Sequence, residues 1–292
     1  MGSVSAPGQK VWFITGSCSG FGREIALAAL ARGDVVVATA LNPSKLANLV
    51  AKGAIAERLD VTDSDENLSE VVAKVLQQTN RIDILVNNAG YLLTGGVEEC
   101  SRDEVQSIFN TNVFGQLNVI RAVLPAMRKQ RSGVVANLGS MGSWFGSPAA
   151  GVYCATKACA SMLSEALRGE VKHLGIQVTC IEPGHFRTNV MDQGHKVQAA
   201  NVIEDLAEGV NPVLEAFKAY NHNQPGDPVK GAKLIVEALT GTGRAEGRAL
   251  PPRFVIGTDA YKIVKGISEV NAQNLETWKD LITTTDHDDV LN

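Results

Sequence analysis

Along the first two thirds of the chain, short apolar runs rich in β-branched residues alternate with stretches whose apolar positions recur every three or four residues. The first pattern fits strands buried on both faces, the second amphipathic helices. Lys10–Thr15 (KVWFIT) reads as a strand, GSCSG as a loop, and Phe21–Gly33 as a helix that stops at a glycine. DVVVATA is a second strand, and NPSKLANLVAK a helix opened by Asn42 as cap with Pro43 at its first position. AIAERLDV is a third strand with Asp60 at its end, followed by a helix over Ser64–Thr79. Ile82–Gly90 (IDILVNNAG) is a nearly continuous apolar strand that runs into a glycine turn. Ser101–Lys129 reads as one long helix, GVVANLGS as a strand, Tyr153–His173 as a helix and IQVTCIEPG as a strand.

This alternation predicts an α/β fold: a doubly wound, Rossmann-like parallel sheet with helices on both faces. Such sheets bind ligands beyond the C-terminal ends of their strands. The stretches to inspect are therefore Thr15–Gly22, Ala38–Asn42, Asp60–Val61, Asn87–Gly90, Leu138–Ser143 and Glu182–Thr188. After Thr188 the pattern loosens. One domain over 1–292 is expected, with a ligand-binding core at 10–188, a helical substrate lid at 189–228, and C-terminal helices with a last strand (RFVIG) at 229–292. The tail from Thr258 reads as a mixed helical appendage.

Composition narrows the function classes. The chain has 292 residues, 45% hydrophobic and 20% charged, as in ordinary soluble proteins. A net charge of −4 without a basic block argues against nucleic acid or an anionic membrane as partner. Five cysteines, Cys18, Cys100, Cys154, Cys159 and Cys180, show no C-x-x-C pair. They read as reduced thiols of a cytoplasmic protein, with no disulfide and no metal site. MGSVSAPGQK lacks the apolar core of a secretion signal, and Ala6 stands where a myristoylation pattern needs Ser or Thr. The final DVLN is no sorting tag, and no apolar run approaches the ~20 residues of a membrane span.

Gly16, Gly20 and Gly22 in TGSCSGFG lie between the first strand and first helix. Glycines there let a pyrophosphate approach a helix N-terminus, where free N–H groups favour anions. The spacing is neither G-x-G-x-x-G nor the Walker phosphate loop. GSCSG also fits a nucleophile elbow with Cys18 as nucleophile, but an elbow follows several strands rather than the first, and no Asp-then-His pair is well placed downstream.

With these pieces in order, the chain resembles the short-chain dehydrogenase/reductase family. The resemblance is carried by TGSCSGFG, Asp60, NNAG (Asn87–Gly90), NTNVFG with Asn112, Ser140, YCATK with Tyr153 and Lys157, and EPGHFRT with Pro183, Gly184 and Thr188. It covers about 10–190. It implies hydride exchange between a nicotinamide and a ketone or secondary alcohol, with Tyr153 as acid/base. Lys157, one helical turn on, would lower the phenol pKa and hold the nicotinamide ribose. Ser140 would bond the substrate oxygen, and Asn112 would hold a water linking Lys157 to solvent. Cofactor contacts are expected from Gly16, Ser17, Ser19, Gly20, Phe21, Gly22, Leu41, Asn42, Asp60, Val61, Asn88, Ala89, Gly90, Tyr153, Lys157, Pro183, Gly184, Phe186 and Thr188.

An acidic residue at the end of the second strand selects NAD. Here Ala40 and Leu41 stand where family members carry that acid or a phosphate-binding arginine. With no carboxylate to bar a phosphate, and Thr39, Asn42, Ser17, Lys45 or Arg23 as donors, NADP(H) is favoured and NAD(H) stays open. Trp144, Phe145, His185 and Met191 are the expected substrate contacts, and Val190, Val197 and Phe217 add to an apolar lid. A steroid-, retinoid-, polyketide- or terpenoid-like substrate would fit. The same residues would equally serve to fix the lid to the body. The resemblance further implies a homodimer or homotetramer through the two long helices. Two other function classes stay open: non-redox, ene-reduction or cyclisation chemistry on the same fold, and a non-catalytic cofactor sensor.

Overall fold

Trp12, Phe13 and Ile14 are wholly buried because the first strand has a neighbour on each edge and helices over both faces. The structure, a computed structural model of the chain, describes residues 8–192, 194–287 and 290. The readings placed on Ala6 and on the final DVLN lie outside the described residues, except for Val290. The strands are β1 (Val11–Ile14), β2 (Val35–Ala40), β3 (Ile55–Arg58), β4 (Ile84–Asn87), β5 (Leu92–Thr94), β6 (Gly133–Leu138), β7 (Ile176–Pro183), β8 (Lys196–Gln198) and β9 (Arg253–Ile256). Seven of them form one sheet in the order β3-β2-β1-β4-β6-β7-β9. Every pairing in it is parallel. The order reverses between β1 and β4, which places the ligand crevice there.

The helices are α1 (Gly20–Ala31), α2 (Ala47–Val50), α3 (Asp65–Thr79), α4 (Arg102–Phe109), α5 (Gly115–Gln130), α6 (Gly151–Val171), α7 (Ala207–Tyr220), α8 (Pro228–Thr240) and α9 (Thr258–Ile282). The two-residue period of a strand sends Trp12 and Ile14 to one face and Phe13 to the other. On the first face they meet Ile25, Ala29, Ile235 and Leu239 of α1 and α8. On the second, Phe13 meets Leu68, Val72, Val119, Val123 and Val171 of α3, α5 and α6. Helix starts follow local chemistry: Ser101 and Glu104 close a capping box on α4, and Asp227 caps α8.

Four elements differ from the sequence reading. The helix expected over Ser101–Lys129 is interrupted by a π turn at Asn110–Phe114. The stretch after Asn42 is a 3₁₀ turn, Pro43–Leu46, and one turn of α-helix rather than a continuous helix. β5 and β8 form a second, parallel two-stranded sheet that pairs Leu93 with Val197. The tail is one helix of 25 residues, and beyond Ile267 its side chains are exposed through residue 287. Among the described residues no helix is long and apolar enough to cross a membrane, and the five cysteines are free thiols.

Candidate active site

The C-terminal ends of β1, β2, β4, β6 and β7 open into one cavity of about 900 Å³. The glycine loop forms its floor. Gly16 and Gly20 have φ of +64° and +52°, a region other residues enter only with strain. A Cβ on Gly22 would collide with the Asn88 amide and the Gly16 carbonyl. Asn88 ties the loop to β4: its Nδ2 donates to the carbonyls of Thr15 and Gly16, each at 3.0 Å. Thr15 Oγ1 accepts the N–H groups of Asn88 and Ala89 at 3.0 Å. Ser19 is the N-cap of α1, and its side chain makes no capping bond.

Behind the loop stand the polar groups of α6. Ser140 begins a turn after β6, and its Oγ accepts the Gly142 N–H at 3.1 Å. It also hydrogen-bonds Tyr153. Lys157 lies one turn from Tyr153, with Nζ 5.7 Å from the phenol ring centroid. Nζ donates to the Leu138 carbonyl at 2.8 Å. Asn112 is fully buried in the π turn. Its Oδ1 accepts the Tyr91 N–H at 3.1 Å, and its Nδ2 donates to the Tyr91 carbonyl at 3.0 Å and to Thr156 Oγ1 at 3.2 Å. A Cβ on Gly90 would stand 2.9 Å from Asn112 Oδ1 and 3.8 Å from Lys157 Nζ. Gly90 thus leaves room for the Asn112 side chain, which is buried behind the cavity wall and does not line it.

Burial dominates the electrostatics. It pushes the Tyr153 phenol up to about 12, against the opposing pull of the Ser140 hydrogen bond. It brings the Lys157 ammonium down to about 8, against a smaller upward effect of Cys180. In the free protein burial sets the Tyr153 pKa, and the phenol is neutral at neutral pH.

The cavity wall holds most of the expected residues: Gly16, Ser19, Gly20, Phe21, Leu41, Asn42, Asp60, Val61, Asn88, Ala89, Gly90, Ser140, Phe145, Tyr153, Lys157, Pro183, Gly184, His185, Phe186, Thr188 and Met191. The placements expected of five residues are corrected. Trp144 does not line this cavity. Its Nε1 donates to Glu182 Oε2 at 2.6 Å, and Arg253 stacks on its ring at 3.7 Å. The side chains of Ser17 and Thr39 do not face a ligand, because both hydroxyls donate to the Ile14 carbonyl. Gly22 acts through close packing against Asn88 and not as cavity wall. Arg23 sits beside Glu24, away from the wall, whereas Lys45 lines it. Asn42 spends Oδ1 on Ser44, leaving its NH₂ for a ligand.

Sequence reasoning missed several neighbours. Glu182 is fully buried and accepts from Ser161 at 2.6 Å and from Arg253 at 2.8 Å. His195, from the segment expected to form the lid, reaches Ser19 Oγ at 3.4 Å. A carboxylate inside an apolar strand was the one visible signal for Glu182. His195 gave none. Among the described residues no cluster of three or more His, Cys, Asp or Glu side chains is placed to hold a metal ion.

The family model for short chain dehydrogenases matches residues 10–198. An oxidoreductase of Botryotinia fuckeliana (strain B05.10), BOA17, is 35% identical over 277 residues, 93% of this chain and 97% of its own. A 3-ketodihydrosphingosine reductase of Bacteroides thetaiotaomicron is 35% identical over 214 residues, 73% of this chain and 78% of its own. The crystal structure of a short-chain dehydrogenase from Streptomyces avermitilis superposes with a TM-score of 0.86 at 39% identity, covering 96% of this chain and 100% of that one.

Proposed function

The chain belongs to the short-chain dehydrogenase/reductase family, and from that premise we propose that it is an NADP(H)-preferring ketoreductase acting on a fairly large hydrophobic carbonyl. The observation that carries this reading is the meeting of Ser140, Tyr153 and Lys157 at one apolar-walled cavity. A neutral phenol at the end of a hydrogen bond from Ser140 is a proton donor waiting for a carbonyl oxygen. Ser140 and Tyr153 together would hold that oxygen as it becomes an alkoxide, and Tyr153 would then protonate it. The Lys157 ammonium, present below about pH 8, would stabilise the phenolate left behind. Asn112, pinned to Tyr91 and Thr156, fixes the cavity edge next to Lys157.

The residues fit a dinucleotide. The Gly16–Gly22 loop leaves room for a pyrophosphate at the α1 N-terminus, and Ser19 and Thr188 stand beside it. Asp60 and Val61 would border the adenine. When bound, the nicotinamide supplies the hydride for reduction or accepts it for oxidation. No carboxylate stands at Ala40 or Leu41, and Asn42 and Lys45 supply donors for a 2′-phosphate, which supports NADP(H). Phe145, Val190, Met191 and Phe217 support a bulky apolar substrate. A relative named for reducing 3-ketodihydrosphingosine accords with that class.

The test is a fluorescence titration of the purified protein with NADPH and NADH, followed by ketone reduction. NADPH should bind more tightly than NADH. Tyr153→Phe should keep NADPH affinity and lose turnover by about 10²-fold or more. Retained turnover in that variant would refute the acid role.

A further inference from the structure

Another polar pair borders the same cavity. His185 follows Pro183 and Gly184 at the exit of β7 and lines the wall beside Met191 and Phe217. Its Nδ1 lies 3.0 Å from Asp259 Oδ2, and its backbone N–H donates to the same oxygen at 2.8 Å. Asp259 belongs to the first turn of α9. Room for its carboxylate comes from two glycines. A Cβ on Gly184 would collide with Oδ1, and one on Gly257, with φ of +106°, would stand 2.8 Å from it. Tyr220, the last residue of α7, meets the imidazole edge to face at a centroid distance of 5.1 Å. Three segments distant in sequence therefore converge to hold one ring.

A carboxylate only accepts, so the bond to Asp259 places a proton on Nδ1. Nε2 remains, and among the described residues it has no hydrogen-bond partner. The ring is half-buried in a cavity wall that also holds the apolar side chains of Phe145, Val190, Met191 and Phe217 and the polar side chain of Gln224. In the neutral imidazole Nε2 is an acceptor that needs a donor, and a ligand that fills the cavity without one leaves it desolvated and unpaired.

We infer that His185, oriented by Asp259, accepts a hydrogen bond from a hydroxyl on the substrate that is separate from the carbonyl undergoing reduction. The preferred substrates are hydrophobic hydroxy-ketones. His185 is a specificity residue and Asp259 its positioning residue. The inference rests on the ketoreductase reading above.

Three matched ketone pairs test it: 4-(4-hydroxyphenyl)butan-2-one against 4-phenylbutan-2-one, 6-hydroxy-1-tetralone against 1-tetralone, and a hydroxylated steroid ketone against its deoxy form. In at least one pair the wild type should favour the hydroxylated ketone in kcat/KM by about tenfold, mainly through KM, as one hydrogen bond predicts. His185→Leu should reduce that ratio to about one. His185→Asn retains an amide that can bond Asp259 but has no Nε2, so it should lose the ratio too while NADPH affinity reports an intact fold. Asp259→Asn should shrink the ratio with the imidazole still present. A wild-type ratio near one in all pairs, or a ratio that survives His185→Asn, would overturn the inference while leaving ketone reduction standing. Reduction of none of the six ketones by protein that binds NADPH would instead remove the reading beneath it.

Discussion

A buried ammonium is an expensive residue to keep, and Lys157 shows what holds it. It is 5% exposed, its one side-chain hydrogen bond among the described residues goes to the Leu138 carbonyl, and burial lowers its pKa to about 8. Relative to an ordinary lysine near 10.5, that depression costs on the order of 3 kcal/mol of stability at neutral pH. Removing the lysine orphans one carbonyl, worth about 1 kcal/mol or more. Lys157→Met is therefore expected to stabilise the free protein by about 1–2 kcal/mol, read as a higher denaturant midpoint at unchanged slope. The sign with pH follows from the lowered pKa: the unfolded chain holds this proton up to higher pH than the folded one. The variant's advantage should be complete below about pH 8 and fade as pH rises toward 10.5. Turnover should be lost together with the gain in stability. In the wild type, kcat/KM for ketone reduction should be flat through neutrality and fall above about pH 8, as the ammonium is lost. At this scale the meeting of Ser140, Tyr153 and Lys157 at one cavity was legible because Tyr153 and Lys157 share a helix turn and Ser140 precedes them at a fixed distance. Trp144 was not. Its partners, Glu182 and Arg253, lie 38 and 109 positions further on, and only the folded sheet brings them to it. Ser17 and Thr39 failed for a local reason, since each hydroxyl found the Ile14 carbonyl before any ligand.

Among the elements, the long buried strands and the amphipathic helices were readable because each carries its own period over a full face. The short pieces were not. β5 and β8 have three residues each, too few to show alternation, and their pairing joins positions about a hundred apart in sequence. The π turn at Asn110–Phe114 leaves no mark in the hydrophobic pattern, although it is where Asn112 bonds Tyr91 and Thr156. The β5–β8 pairing anchors the segment expected to form the lid. Ala199 donates to the Thr94 carbonyl at 2.7 Å, and Leu92 donates to that of His195 at 3.1 Å. Ala199→Pro removes the first of these bonds. Because β8 adds no side chain to either core cluster, the melting temperature should move little. Limited proteolysis within 189–228 should quicken, and KM for bulky ketones should rise by about threefold to tenfold, consistent with one or two lost contacts. An unchanged cleavage pattern would mean that the two-stranded sheet does not hold this segment.

For the whole molecule, the unresolved balance lies on its outer helices. The inner faces of α5 and α6 close the second core cluster, yet Phe114, at the end of the π turn before α5, and Met162 and Leu163 of α6 are exposed. A second copy of the chain is the simplest cover, since a two-fold axis lets one apolar face satisfy itself. Met162→Glu would place a charge on that face without touching either core cluster. Light scattering should then show the wild type at a multiple of one chain's mass and the variant shifted toward a single chain. The consequence would reach the cavity, because α6 carries Tyr153 and Lys157 on the side opposite the proposed contact. A monomeric variant should therefore lose thermal stability and some turnover together, both recovering at high protein concentration, as mass action requires. A wild type that is already monomeric would leave the outer faces of α5 and α6 as ordinary exposed surface, and would make the cavity self-sufficient within one chain.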